Sequence, residues 1–338
     1  MLRIHVSGVD LSRVRMATRP DAMWETVLSL HRLRDRRGST VFGKWRKESR
    51  NRLNGETRLL SAVVPTRGYF PDFLTPSGGA GEPLGLDAGM EALRDTPADR
   101  IREEIALLPG DGPSTRRPSG GHTSTGALPE TLAEGRTEPL GRLISALRAY
   151  HRAAVEPYWQ HIRASVEADR AVRGRALLDG GAEELLATLP PVIRWRAPVL
   201  EADYPVDRDL HLDGRGLLLQ PSFFCRGTPV VYRDPRLPPV LVYPVTHPGA
   251  PVFAEPGPWL GRLVGHTRSA VLRSIDNGCT TSELARRTGV SLASASQHAC
   301  VLREAGLVRT LRHGSSVLHT LTPLGAALLR GGAPLPVP

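Results

Sequence analysis

The most constraining stretch of this chain runs from Thr267 to Arg330, because helix starts and stops punctuate it at nearly every turn. Val271, Leu272 and Ile275 share one face of a helix over Thr267 to Asp276, and Asn277-Gly278 stops it. Thr280 or Thr281 can cap the next helix, Ser282 to Thr288. Glu283 lies three residues after Thr280, at capping-box spacing, and its charge suits a first turn. Gly289 supplies a tight turn, Val290 an apolar plug and Ser291 a second cap; Leu292 to Ala305 then reads as a helix that Gly306 ends. Leu307 to Leu311 and Val317 to Leu321 alternate as strands around an Arg312-His313-Gly314-Ser315 turn, and Thr322-Pro323 opens a last helix. A short helix from Trp259 to Gly265 comes before all of these. The order is helix, helix, turn, helix, β-hairpin, helix, with Ala285 and Gly289 where a helix-turn-helix needs a small residue and a turn glycine.

The second helix of such a pair must protrude to enter a groove about 12 Å wide. Ser291, Ser294, Ser296, Gln297 and Arg303 are expected on its exposed face, as short hydrogen-bonding groups and one cation. Arg309, Arg312 and His313 put positive charge on the hairpin, where a wing meets phosphates or a minor groove. Nine arginines against three acidic residues between Trp259 and Arg330 give this segment +6 of the chain's formal +10. Such a surplus favours a polyanionic partner. Lys44 and Lys47 are the only lysines, however, and an arginine bias of this kind also follows from a GC-rich genome.

The run from Gly265 to Gly325 resembles the ArsR-type winged-helix repressors. The resemblance rests on Thr267-Arg268, on Ser-Glu-Leu-Ala at 282–285, on Ser294-Ala295-Ser296-Gln297-His298 and on Leu-Arg-Glu-Ala-Gly-Leu-Val at 302–308. It covers the last fifth of the chain. It implies a winged helix-turn-helix that binds double-stranded DNA as a homodimer on dyad-symmetric sites. Thr267 and Arg268 then join the contact residues, and His298 supports packing and phosphate approach, with a direct base contact as the other reading. The first winged-domain helix and the last helix become candidates for dimerisation. The chain departs from the family's metal sites: Thr280 and Ser282 stand where a Cys-x-Cys pair precedes the acidic residue, and Cys279 is alone and one residue early. The last helix, PLGAALLRG, carries no His, Asp or Glu. No metal and no cofactor is expected, and Cys300 is expected in the helix core. The earlier part more loosely resembles an uncharacterised module found beside such winged helices in actinobacterial regulators, through RGYFPDFLTP at 67–76, LLLQPSFF and VLVYPV.

Residues 1 to about 250 read as a mixed module. A short strand over Leu2 to Val6 precedes a helix from Asp21 to about Arg37, with Met23, Trp24, Val27, Leu28 and Leu30 on one side and Gly38 as its stop. A second helix runs from about Val41 to Leu53. Both are dense in arginine and lysine, read as a solvated outward face, with an accessory DNA contact as the other reading. Leu59 to Val64 is a short apolar element, and the aromatics of 67–76 are core plugs. Asp87 to Leu108 is helical with a break near Pro97, and Pro109 to Glu134 is a loose loop. Helix resumes from about Pro139 to Val166, with a kink at Pro157, and a short helix spans Ala182 to Thr188. From Pro190 to Pro248 the texture is strands, with Asp213-Gly214 turning a hairpin between DLHL and LLLQ. Residues 251–258 are a linker by composition.

The chain has no Walker loop, nucleophile elbow, His-Glu-x-x-His or dinucleotide fingerprint. His151 with Glu156 matches no catalytic spacing. His211 with Asp213, on one face of one strand, is a weak hint best read as a polar surface strand. Three cysteines without paired spacing argue against a disulfide framework, and no signal peptide or membrane-spanning run is present, so a cytoplasmic home is expected. The expectation is an α+β chain: a sensing or association module over 1–250, then a winged helix-turn-helix over 259–330. Its function would be that of a DNA-binding transcription regulator, a homodimeric repressor in type, with an unknown effector at the first module and no membrane partner. A change in that module would alter the spacing of two recognition helices. Alternatives are a winged helix serving protein or RNA, or an enzyme with an appended regulatory domain.

Overall fold

A computed structural model describes residues 1–35, 39–66, 68–108, 128–134, 137–246, 258–275, 278–313 and 316–330. The chain divides into two compact units, Met1–Ser39 with Trp45–His247, and Thr40–Lys44 with Pro248–Pro338. The architecture is α+β.

The first unit holds two four-stranded sheets. In one, β1 (Leu2–His5) lies between β4 (Val199–Ala202), antiparallel, and β5 (Arg208–His211), parallel; β3 (Ile193–Arg196) pairs with β4 outside. In the other, β2 (Arg15–Met16), β6 (Leu218–Ser222) and β8 (Val240–Pro244) run parallel, and β7 (Val230–Val231) closes the edge antiparallel. Strand alternation sends Leu2 and Ile4 inward and leaves Arg3 and His5 outward. β6 is buried at every position, as a covered parallel strand requires. Both sheets feed one core, with Leu2, Ile4, Leu200, Leu219, Leu241 and Tyr243 in contact with Leu185, Leu186 and Leu189.

The turn at Asp213-Gly214 is real, with both residues at positive φ. It joins two sheets rather than two strands of a hairpin: β5 ends in the first sheet and β6 begins in the second. Gly216 is the reason. Its N–H donates to Asp10 Oδ1 at 3.0 Å, and a Cβ there would lie 2.5 Å from the Arg13 carbonyl oxygen. The chain is drawn to the segment that becomes β2 instead of folding back on β5. His211 therefore ends its strand, and Asp213 sits in the turn rather than on the same strand face. His211 stacks on His5 with ring centroids 4.3 Å apart, while Asp209 pairs with Arg3 and His5.

The helices are α1 (Gly8–Leu11), α2 (Ala22–Arg34), α3 (Ser39–Arg52), α4 (Glu56–Val63), α5 (Leu86–Arg94), α6 (Ala98–Ala106), α7 (Leu128–Ala133), α8 (Thr137–Ala154) and α9 (Trp159–Ala187). The short apolar element after Asn54 is thus helix α4, and α7 lies within the stretch expected as a loose loop; residues 109–127, the Gly38 stop and the 251–257 linker lie outside the described residues. Pro157 does not kink one helix. It sits in a 3-10 turn, Glu156–Tyr158, that separates α8 from α9. Phe70 and Phe73 are buried as expected, and Tyr69 is half-buried with the Arg233 guanidinium over its ring.

α2 was expected to be apolar on one side; it is buried on nearly all sides. Burial all round forces each polar residue to find a partner. Glu25 accepts from the Phe223 and Phe224 N–H groups at 2.8 and 3.0 Å, one on each oxygen. Ser29 donates to the Thr26 carbonyl and meets the Tyr150 hydroxyl at 2.9 Å. Thr26 donates to the Ala22 carbonyl, so His151 Nδ1, 2.7 Å from that hydroxyl, must carry the proton it shares. At the far end, Arg46 and Arg50 donate to the Arg32 and Leu33 carbonyls at 2.6 and 2.7 Å. The basic residues of α3 are therefore not a uniformly solvated face: two of them satisfy the orphan carbonyls that end α2. No helix among the described residues is long and apolar enough to cross a membrane.

Two measurements check this account. Glu25→Gln replaces one acceptor oxygen by an NH2 group facing a buried N–H, and is expected to cost about 2 kcal/mol in denaturant unfolding; an unchanged midpoint would show that the Phe223 and Phe224 amides do not depend on Glu25. Burial pushes the His151 imidazole down to about 4, from an ordinary value near 6.5. Its folded form is neutral, so its contribution is present above about pH 6.5 and is lost as pH falls toward 4. Against a His151→Asn variant, the wild type should lose roughly 3 kcal/mol of relative stability across that window. A difference that stays constant with pH would contradict a neutral, buried His151.

Candidate nucleic-acid interface

The second unit is built from α10 (Pro258–Val264), α11 (His266–Ser274), β9 (Cys279–Thr280), α12 (Thr281–Thr288), α13 (Leu292–Glu304), β10 (Val308–His313), β11 (Ser316–Leu321) and α14 (Pro323–Arg330). Local chemistry sets each boundary. Thr280 Oγ1 accepts from the Glu283 N–H at 3.3 Å and starts α12. Gly289, at φ 68°, takes the left-handed conformation that ends it. Ser291 Oγ accepts from the Ser294 N–H at 3.2 Å and starts α13. β10 and β11 are longer than the alternation suggested, pairing as far as His313 with Ser316. β9 was not anticipated: two residues, Cys279 and Thr280, pair with His319 and Leu318 and make the hairpin a three-stranded sheet.

One apolar core holds the unit together. Val271, Leu272 and Ile275 of α11, Leu284 and Ala285 of α12, and Ala295, Ala299 and Leu302 of α13 meet in it, with Val290 packed at its edge. The three inward residues of α13 lie at steps of four and three, so they fix which side of that helix faces out. Small alanines at 295 and 299 let α13 sit close to its neighbours. Cys279 is buried in the same core, and burial raises its thiol above the ordinary range. Cys300, expected in the core, is half-exposed instead: its thiol lies 3.4 Å from Glu304 Oε1 and accepts from Arg303 at 3.2 Å. The turn from 295 to 300 carries it off the buried face that 295, 299 and 302 define.

Ser296 and Gln297 are exposed on α13, and Ser291, its N-cap, is exposed just before the first turn. Ser294 and His298 are half-buried on its flanks, and Arg303 is exposed in its last turn. Leu292 and Ala293 are exposed beside Ser291. Thr267 and Arg268 are exposed in the first turn of α11, a different helix from the rest of the expected set. Arg309 is exposed on β10, opposite Thr320 of β11. Arg312 and His313 continue β10 toward the hairpin tip, where their backbones face Val317 and Ser316. The structure thus leaves Ser296 and Gln297 exposed on α13 with Ser291 at its N-cap, puts Arg309, Arg312 and His313 along one hairpin, and sets Thr267 and Arg268 apart.

Sequence reasoning passed over His319. It is buried in β11, with Nε2 3.0 Å from Thr281 Oγ1 and Nδ1 3.1 Å from Thr310 Oγ1. Burial lowers its pKa, so the ring is neutral near pH 7. It ties the first turn of α12 to both strands of the hairpin. The alternation of β11 could have placed it on the inward face with Val317 and Leu321; its partners could not be read. Arg286 and Arg287 of α12, also outside the expected set, pair with Glu283. Among the described residues no three His, Cys, Asp or Glu side chains converge to hold a metal ion.

A helix cap, a turn glycine, a second helix with exposed amide and hydroxyl groups, and a hairpin follow one another in the order of a helix-turn-helix with a wing. Residues 266–310 match a family model described as a helix-turn-helix domain. No curated protein and no solved structure matches the chain. The carboxy-terminal unit carries a helix-turn-helix, the module by which DNA-binding regulators reach their sites.

Proposed function

We propose that this chain is a sequence-selective, double-stranded DNA-binding transcription regulator, a repressor of the ArsR type without that family's metal sites. The unit from α11 to β11 acts as a winged helix, with α13 as the groove-reading helix and β10–β11 as the wing. The observation that carries the reading is the outer face of α13. Exposed Ser296 and Gln297, with Ser291 at the N-cap, offer the donors and acceptors that base edges in a major groove require. Leu292 and Ala293 beside them suit the methyl group of thymine. Arg309, and Arg312 and His313 further along the same strand, belong to phosphates or the minor groove. Thr267 and Arg268, at the exposed start of α11, belong to the backbone, as does half-buried His298 on the flank of α13. Arg303 and Ser294 flank the reading face. The regulator acts as a homodimer on a dyad-symmetric site, and residues 1–250 serve sensing or association rather than catalysis.

Selection of random duplexes by the full-length protein tests this directly. A dyad-symmetric motif should emerge. On that motif Gln297→Ala should weaken binding by about 5- to 150-fold, the range of 1–3 kcal/mol for a base contact, and leave affinity for scrambled DNA unchanged. Arg309→Ala should weaken both DNAs alike and lower the slope of log affinity against log salt by about one. Equal, steeply salt-dependent binding to every duplex, with no enriched motif, would leave charge alone at work and hand the unit to a protein partner.

A further inference from the structure

α9 is a helix with two unlike faces. Its inner face is anchored by polar groups as well as apolar ones. Asp169 accepts from the Tyr243 hydroxyl at 2.6 Å and pairs with Arg173 at 3.2 Å, and Arg173 also donates to the Thr188 carbonyl. With Ile162 and Val166 buried beside them, these bonds fix the rotation of the helix about its axis. Its outer face is therefore defined, and it sets small and apolar residues between charged ones. Ala164, Ala168, Ala171, Arg175 and Leu178 recur at alternating steps of four and three, and all are exposed. Leu178 is 87% exposed, the most exposed large apolar side chain described, and Val172, at the edge of the same face, is 56% exposed. The regular run ends at Gly181, which departs from helical geometry.

We infer that this face of α9 is a self-association surface, on which a second copy of the chain docks antiparallel about a dyad at Ala171. Charge selects that arrangement. Arg163 pairs with Glu167 and Arg175 with Asp179 on the same helix, at 3.0 and 3.4 Å, so both ion pairs run base first and acid second. A dyad through Ala171 sets Glu167, four residues before it, level with Arg175 of the second copy, four after it. Arg175 lies near the middle of the face and can reach to either side. The result is a ladder of alternating sign, Arg163, Glu167, then Arg175 and Asp179 of the second copy, made twice by symmetry. A parallel pairing sets Arg175 against Arg175 and Glu167 against Glu167, which repels. Shape agrees with charge: the same dyad brings Leu178, seven residues after Ala171, to Ala164 of the second copy, seven before it, so the largest side chain on the face meets one of its smallest. Ala171 packs on itself at the axis, where a small residue lets two helices approach.

In purpose this contact rests on the regulator reading, which calls for a dimer with a two-fold axis; in chemistry it does not. It places an axis in the first unit rather than in α11 or α14. Sedimentation of the full chain without DNA tests it. The wild type should sediment as a dimer that dissociates on dilution, and Leu178→Asp as a monomer with an unchanged far-UV spectrum. Glu167→Arg and Arg175→Glu should each raise the dissociation constant by at least about fivefold, and the double variant Glu167→Arg/Arg175→Glu should recover most of that loss, as a direct charge pair demands. A monomeric wild type, a Leu178→Asp variant that stays dimeric, or charge reversals that fail to compensate would each overturn the inference. Because the measurement holds no DNA, a dimer with this pattern whose DNA binding proves unselective would leave the α9 surface standing and remove only the regulator reading.

Discussion

Buried carboxylates receiving main-chain N–H groups hold the first unit together. Glu25 takes two amides from the segment after β6, and Asp72 takes the Arg233 and Asp234 amides at 2.8 and 2.9 Å. Asp21 caps α2 through Met23 and Trp24 and also accepts from Leu84 at 3.0 Å. Asp10 closes α1 with Ser7 and takes the Gly216 amide. In each case one short acidic side chain satisfies donors of an irregular segment that no strand or helix partner reaches. Desolvation pushes Asp21 and Asp72 up to about 6 and Glu25 up to about 7, while the amides pull the other way. Those opposed effects are the cost of letting loops rather than regular elements line a core.

The same economy explains the centre of the unit. α2 is held at its start by Asp21 and at its end by arginines from α3, whose donors reach the carbonyls that the helix leaves open. Removing a cationic residue from α3 would therefore be felt in α2. The aromatic wall beyond it is continuous with these bonds: Trp45 donates to the Ala154 carbonyl at 2.7 Å and packs on Phe224, whose own N–H is held by Glu25.

How far the sequence could be read follows from where the information lay. In the second unit the deciding interactions span three or four residues, as between Thr280 and Glu283, Ser291 and Ser294, or within the turn at Gly289, so the helices and the hairpin were legible. β9 was not, because two residues carry no period and their partners lie some forty positions away, in β11. In the first unit the elements were visible but their neighbours were not. The Asp213-Gly214 turn looked like a hairpin because turn chemistry is local, whereas the pairing of β6 with β2 and β8 depends on Gly216 meeting Arg13 and Asp10, about two hundred residues earlier. α2 looked one-sided because its buried Glu, Thr, Ser and His read as polar until their partners are known. The exposed side of α13 was legible from its period, Cys300 falls one residue, about 100°, beyond buried Ala299 and so leaves the core, and His319 was silent because both its partners come from other elements.

Both outward surfaces follow one physical rule. A helix can present a defined face only if something inside fixes its rotation. In α13 that is the Ala295, Ala299 and Leu302 contact; in α9 it is the Asp169, Arg173 and Tyr243 group. The outer residues are then free of any packing duty, and their chemistry has to be explained by what lies outside the chain. On α13 they are a serine and a glutamine next to small apolar groups, suited to edges that both donate and accept. On α9 they are alanines, a valine and a leucine between charges of alternating sign, suited to an apolar helix with the opposite run of charge. Exposed Leu178 belongs to a patch with Ala164, Ala168, Ala171 and Val172 instead of standing alone, whereas exposed Gln297 is ordinary surface chemistry. The leucine is the stronger argument for a partner, and a helix whose charges are complementary to its own reversed image names that partner as itself.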